Sequence, residues 1–249
     1  MSDTVGLAWR QYRLERKMFW RNPAAAFFNF ALPLLLLALL GTLYAGDQEN
    51  LDILVPGIAG MSIVSTTFVA LTHNLVFLRE QGVLKRLRGT PMPTGSYLVG
   101  LFGNAVTNAF VQIAIVVVAG RLFYGIGWPE HWPELIIFTV AGVVCFASLG
   151  VAFSHVIPNF EATPAYVNAV FLPLIFISGV FYDAEEAPAF LHDIAQALPL
   201  VHLIDGLSGA MVGGASLADN MANLNVVIIW AAAGIVLAIR GFSWEARQD

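Results

Sequence analysis

Six long runs of apolar residues constrain this chain more than any other feature. Each has about the 20 residues that a helix needs to cross the hydrocarbon core of a bilayer. The runs lie at residues 27–44, 53–78, 97–120, 134–157, 163–182 and 222–240. They are continuous rather than alternating between apolar and polar residues, which favours helices over the strands of a barrel. We therefore predict an all-α integral membrane protein with six transmembrane helices.

The composition supports this class. Only 12% of the residues are charged and 58% are hydrophobic, whereas soluble domains carry about 25% charged residues. The single cysteine, Cys145, lies inside the fourth run. No disulfide can form within one chain, and we interpret this cysteine as a small apolar core residue.

The segment that precedes the first run, residues 5–22, is amphipathic and basic. Its aromatic residues suit the headgroup level of a membrane, while its Arg and Lys residues suit water. The segment is therefore predicted to be an interfacial helix, and an ordinary soluble helix is the alternative.

The basic residues predict the orientation of the chain. Except for Arg121, all Lys and Arg residues lie before the first run, between the second and third, or at the end of the sixth and beyond it. Basic residues concentrate on the cytoplasmic side of membrane proteins. This distribution predicts that both termini are cytoplasmic. The outer connection at residues 183–221 has two apolar pieces split at Pro199, each too short to cross, which favours a re-entrant or interfacial helix pair.

A short basic stretch, "REQGVLKRLRGTPMP" (residues 79–93), lies between the second and third runs. Apolar residues recur along it at helical spacing, whereas Lys85 and Arg86 lie away from that face. Gly89, Pro91 and Pro93 are predicted to end the helix. Basic residues alone could fix the orientation of the spans in the membrane, or they could contact anionic lipid. An amphipathic helix with a sharp stop could also dock into a groove on a soluble partner.

This stretch resembles the coupling-helix signature of the ABC-2 type membrane subunits of ATP-binding cassette transporters. The N-terminal "RQYRLERKMFWRNPAAAFFNFALPLLL" and the later "ISGVFYDAEEAPAFLHDIAQALPLVHLIDGLSGA" are also similar to stretches of that family, in the same order. Val83 stands where many members have Thr, a departure that we do not expect to alter docking.

The resemblance implies a single ABC-2 type transmembrane domain over residues 1–249, with a coupling helix between spans two and three. It also implies a second copy of the chain or a related permease, and two copies of an ATP-binding subunit. ATP and Mg²⁺ are expected on that subunit, because this chain has no phosphate-binding Gly-x-x-x-x-Gly-Lys-Ser/Thr loop. We therefore expect no enzyme activity or cofactor in this chain. The residues expected to couple to the ATPase are Arg79, Glu80, Val83, Leu84, Lys85, Arg86 and Leu87.

In that family, spans two and five line the substrate route, which makes Thr66, Asn168, Phe171 and Phe176 candidate lining residues. Asn108 is a further candidate, in a polar stripe with Asn104 and Gln112. The stripe could face the route or bond neighbouring helices, and we favour the second interpretation. The polar residues His192, Asp193, His202 and Asp205 lack the spacing of a metal site, and none is predicted.

The resulting hypothesis is the permease subunit of an exporter in a bacterial inner membrane, among membrane lipids, with no nucleic-acid partner. The cargo would be a lipophilic drug-like molecule or a lipid. The alternative is a lipid-linked polysaccharide or glycolipid, since aromatic residues around span five could stack on sugars. An ion-coupled secondary transporter is less favoured, because no Asp, Glu, Lys or Arg lies in the middle of a span.

Overall fold

The computed structural model describes residues 2–90, 92–182, 188–213 and 216–241, and all regular structure in these ranges is helical. The elements are α1 (Ser2–Arg21), α2 (Pro23–Leu43), α3 (Gln48–Val64), a π-helical turn (Ser65–Val69), α4 (Ala70–Glu80), α5 (Val83–Arg88), α6 (Thr94–Tyr124), α7 (Trp132–Ser154), α8 (Thr163–Ile177), α9 (Ala189–Ala197), α10 (Pro199–Met211) and α11 (Met221–Gly241). Predictions that involve Pro91, residues 183–187 and 214–215, the side chain of Arg88, or Arg247 fall outside the described residues.

The predicted spans one, two, three, four and six correspond to helices that are long and apolar enough to cross a membrane. These are α2, the continuous unit Gln48–Glu80 formed by α3, the π-helical turn and α4, then α6, α7 and α11. Helices α9 and α10 meet at Pro199 with a bend of 86°. Together they are apolar enough to count as one further broken span or as a re-entrant loop.

Span five is shorter than predicted. The sequence predicts a span over residues 163–182, but α8 has 15 residues and ends at Ile177. At 1.5 Å per residue it is about 22 Å long, less than the ~30 Å of a hydrocarbon core. Gly179 adopts a φ of 69°, which turns the chain out of the helix. The Tyr182 hydroxyl then donates to the Phe176 carbonyl at 2.7 Å, which folds this segment against the helix end.

The core of the bundle is built around α7. Helix α11 packs along it, and α10 packs against α3, α7 and α11. The Ser148 hydroxyl on α7 donates to the carbonyl of Ala231 on α11 at 3.3 Å. A Cβ at Gly234 would overlap the Ser148 side chain. Small residues therefore bring the two backbones close together, as is usual between membrane helices.

Helix α1 packs along the first half of α6 and runs in the same direction. Near its start, the Thr4 carbonyl accepts a hydrogen bond from Ser96 at 3.0 Å. Further along, the Tyr12 hydroxyl lies 3.2 Å from that of Thr107. The face of α1 toward the bundle includes the buried polar residue Gln11. The predicted helix exists, with bounds close to the predicted 5–22, and its place at a membrane interface stays a prediction.

Candidate coupling site

The short helix α5 has one face toward its own chain and another toward solvent. It follows Gly82, whose φ of 66° makes the corner between α4 and α5. Leu84 is only 2% exposed, and Leu87 packs against the core. Lys85 and Arg86 are exposed. A soluble partner that contacts α5 would therefore meet its basic face more than its apolar face.

Two of the predicted coupling residues, Arg79 and Glu80, bond to a different part of the chain. Arg79 is 7% exposed, and its guanidinium donates to the carbonyls of Ser154 at 2.9 Å and Ile157 at 2.6 Å. A Glu80 carboxylate oxygen accepts a hydrogen bond from the backbone N–H of Phe160 at 2.6 Å. These five residues link the end of α4 to the connection between α7 and α8, and we call them the α4–α7 clamp.

Further contacts extend the link on both sides of the clamp. The Thr72 hydroxyl on α4 donates to the carbonyl of Gly150 on α7 at 3.1 Å. The rings of Phe77 and Phe160 meet with their centroids 5.4 Å apart. Hydrogen bonds in which one partner is charged are stronger than neutral ones. The end of α4, the end of α7 and the start of α8 are therefore held as one unit.

The candidate route residues fall into two groups that do not converge on one cavity. Thr66 is buried on the π-helical turn, and Asn108 is buried on α6, where its Oδ1 accepts a hydrogen bond from Arg16. Both line a cavity of about 310 Å³ among α1, α2, α4 and α6. Asn168 and Phe176 are exposed on α8, and Phe171 is half-buried there.

The sequence prediction missed two features of the structure. The carbonyls of Ser154 and Ile157 belong to the backbone, so no side-chain pattern marks them as partners of Arg79. The second feature is the buried pair Gln11 and Glu15, in which the amide donates to the carboxylate at 2.7 Å. Their spacing of four residues puts them on one face of α1, and this spacing could have identified them.

Comparison with known families identifies the chain. The family model described as ABC-2 type transporter matches residues 5–212. This chain belongs to the ABC-2 type transporter family. The match includes α1, α5, the clamp and the α9–α10 pair, so the elements described above are part of the family's domain.

Individual relatives agree with this assignment. Nodulation protein J of Rhizobium leguminosarum bv. viciae is 26% identical over 223 residues, which are 84% of this chain and 83% of the relative. Nodulation protein J of Rhizobium meliloti is 26% identical over 215 residues, 82% and 80% of the two chains. The inner membrane transport permease YadH of Escherichia coli K12 is 23% identical over 171 residues, 68% of this chain and 66% of the relative.

Membership of this family defines the class of transporter. The chain is an integral multi-pass membrane protein and the permease subunit of an ATP-binding cassette transporter. Permeases of this family work with ATP-binding subunits, and ATP hydrolysis takes place in those separate subunits. The chain is accordingly a transport component and not an enzyme.

Proposed function

We propose that this permease exports a lipophilic molecule, either a drug-like compound or a lipid, from the cytoplasm across a bacterial inner membrane. Two copies of the chain would form the route, and two ATP-binding subunits with ATP and Mg²⁺ would drive it. Both termini would be cytoplasmic, as the distribution of basic residues predicts. The similarity to YadH, an inner membrane transport permease, supports this location.

The α4–α7 clamp is the observation that carries the proposal. A force applied to α5 reaches the end of α4 through the single corner at Gln81 and Gly82. The bonds of Arg79 and Glu80 continue this connection to the start of α8. Movement of the ATP-binding subunits would therefore tilt α4 and α8 together, which are parts of the two helical segments proposed to line the route.

Lys85 and Arg86 are the proposed contact with the ATP-binding subunit. Both are exposed, and the Arg86 guanidinium donates to the carbonyl of Gln81 at 3.2 Å, which keeps it near the corner. Leu84 and Leu87, on the opposite face, would hold α5 against the rest of the chain. Arg79 and Glu80 would transmit its movement rather than contact the partner.

The surface of α8 supports a second copy of the chain as the neighbour. Among its residues, only Thr163, Val167 and Ile175 are buried, while Asn168 is exposed on an otherwise apolar helix. An amide without a partner in lipid is costly, and an interhelical hydrogen bond would satisfy it.

Asn108 on α6 is a different case, because its bond from Arg16 favours a role in helix packing over a role in the route.

A glycolipid or lipid-linked polysaccharide remains the second candidate cargo, because one cavity favours it. This cavity, of about 340 Å³, lies among α3, the segment that follows α8, α9 and α10, and its polar lining includes Tyr182, Gln196 and Asp205. Hydroxyl-bearing groups could bond there as they leave the route.

Charge reversal on α5 tests the coupling. The permease and its co-purified ATP-binding subunit would be reconstituted in liposomes, and substrate-stimulated ATP hydrolysis would be measured. We expect the double variant Lys85→Glu with Arg86→Glu to lose most of this stimulation, about tenfold or more, since paired contacts across an interface contribute several kcal/mol.

The matched control is Arg240→Glu, which reverses an exposed charge at the end of α11. It should keep the stimulation of the natural chain. Equal activity of the α5 double variant and the control would reject docking through Lys85 and Arg86. If the permease purified without any ATP-binding subunit, the result would instead indicate a different assembly of the transporter.

A further inference from the structure

A polar cavity lies among α1, α2, α4 and α6, beside the π-helical turn. Its volume is about 310 Å³, roughly ten times the ~30 Å³ that a water molecule occupies in the liquid. By contrast, the cavities along α2 and between α6 and α7 are lined almost entirely by apolar side chains. The polar lining therefore distinguishes this cavity from the gaps that lipid tails can fill.

Glu15 is the acidic residue in the lining of this cavity. It is only 5% exposed, and its described hydrogen bond comes from the neutral amide of Gln11. No cationic side chain forms an ion pair with it among the residues that the structure describes. Burial raises the pKa of this carboxyl group, and the bond from Gln11 offsets part of that effect.

The nearest basic residue along α1, Arg16, is engaged elsewhere. Its guanidinium donates to Oδ1 of Asn108. Its Cζ also lies 5.9 Å from the centroid of the Phe19 ring and 5.7 Å from that of Trp20. These interactions hold its positive charge at the aromatic residues rather than at the carboxylate of Glu15.

Amide side chains supply most of the remaining polar lining. The asparagines are Asn22, Asn29, Asn74, Asn104 and Asn108. Two of their buried atoms, Nδ2 of Asn29 and Oδ1 of Asn104, have no hydrogen-bond partner among the described residues. A buried polar atom without a partner costs about 1–3 kcal/mol. The Oδ1 of Asn104 can face a bound cation directly, whereas the Asn29 amide would have to flip to present its oxygen.

We infer that this cavity binds a small organic cation, specifically an ammonium headgroup, with the carboxylate of Glu15 as its counter-ion and the oxygens of asparagines other than Asn108 around it. The inference rests on the proposed export function in one respect, because the headgroup would belong to the cargo. It narrows the lipophilic cargo to molecules that carry a positive charge at one end.

Charge separates this ligand from the other polar candidates. An anion such as a phosphate would be repelled by Glu15. The described residues of the lining include no cationic side chain, and the guanidinium of Arg16 is bonded to Asn108. A neutral polyol could bond the amides but would leave the buried carboxylate uncompensated, which is costly in a medium of low polarity. An ammonium group satisfies the amide oxygens and neutralises the acid.

Choline and dimethylbutanol form a matched pair for the test, because carbon replaces the quaternary nitrogen of choline in that alcohol. Binding of radiolabelled choline to the full-length chain would be measured by equilibrium dialysis in an uncharged polyoxyethylene detergent, at a pH well above the ordinary pKa of glutamate. Dimethylbutanol would compete against it. We expect Glu15→Gln to weaken choline binding by about tenfold or more, as expected when one partner of a buried charge pair is lost.

The control variant is Glu161→Gln, which removes an exposed acid from the connection before α8. It should bind choline like the natural chain. Equal affinity for choline and dimethylbutanol, or an unchanged choline affinity in Glu15→Gln, would overturn the proposal. If Glu15→Gln lowers the melting temperature, the comparison of choline with dimethylbutanol on the natural chain still tests the proposal.

The two proposals fail separately in these tests. Choline binding is measured on the permease alone, so its absence leaves ATP-driven export untouched. A failed ATPase experiment in turn leaves the binding result intact.

Discussion

Helices α7 and α8 follow each other in the chain and are almost equally apolar, but their surroundings differ. More than half of the central part of α7 is buried, and it packs against α3, α4, α6, α10 and α11. Helix α8 buries three of its 15 residues and makes few contacts, mainly with α4 and α9. Hydropathy alone does not distinguish the two helices.

The difference indicates that α7 is a scaffold of the fold, whereas α8 presents a surface that needs a neighbouring molecule. Helix α7 has its packing partners within the chain and supports the fold. Helix α8 has large apolar side chains such as Leu172 and Phe176 exposed, together with Asn168. The α4–α7 clamp joins the two helices at their connection, so that α8 is anchored at one end and little constrained along its length.

The largest effect is expected where α7 meets α10. A Cβ at Gly206 would overlap the ring of Phe138, which is completely buried. Gly206→Val should therefore destabilise the protein by about 3 kcal/mol or more, the upper end of the cost of overpacking. Thermal unfolding followed by size-exclusion chromatography in detergent would measure this loss. Gly95→Val is the control for added volume, because a Cβ there meets nothing within 4 Å. Similar melting temperatures for the two variants would contradict the role of α7 as the packed scaffold.

A smaller effect is expected at the connection between the two helices. Arg79→Met keeps the apolar stem of the side chain but removes the guanidinium and its bonds to the carbonyls of Ser154 and Ile157. We expect a loss of about 2 kcal/mol in stability, typical for hydrogen bonds from a charged group. Transport should fall more than basal ATP hydrolysis, because force from α5 would no longer reach α8.

Arg79→Lys retains the charge with one donor group instead of a fork, and it should recover part of the stability and part of the transport. Parallel losses of transport and basal hydrolysis in Arg79→Met would argue that the clamp stabilises the fold without transmitting movement.

The smallest effect is expected on α8 itself. Asn168→Leu should leave the melting temperature of the separate chain unchanged, since the side chain is exposed and has no described bond. It should weaken association of two copies by about 1 kcal/mol, the size of an interhelical hydrogen bond in membranes. Light scattering across a concentration series would measure the dimer fraction. An unchanged dimer fraction would indicate that Asn168 faces lipid headgroups or the route instead.

Most of the fold could be predicted because long apolar runs and the positions of basic residues act locally. The runs predicted α2, the unit Gln48–Glu80, α6, α7, α11 and the start of α8, and the break at Pro199 predicted the bend between α9 and α10. The end of α8 was not predicted in this way, because Val180 and Phe181 continue the apolar run beyond it. The turn at Gly179 and the bond from Tyr182 decide it.

The candidate site was less predictable, because it depends on which face of each helix meets another. Periodicity puts Leu84 on an apolar face of α5, but it does not say whether a partner or the same chain covers that face. Likewise, a basic residue next to a loop suggests contact with solvent or lipid. Arg79 is instead buried against backbone carbonyls that are 75 and 78 positions away in the sequence.

The π-helical turn at Ser65–Val69 determines the directions in which the side chains of α4 point. Such a turn accommodates one residue more than an α-helix does, and each residue of an α-helix advances the side-chain direction by about 100°. If the same five residues formed a regular α-helical turn instead, α4 would be rotated by about that angle. Arg79 would then face away from α7, with no change in the composition or hydropathy of the span. The α4–α7 clamp is therefore expected to depend on the π-helical turn being kept, and not on the composition of the span alone.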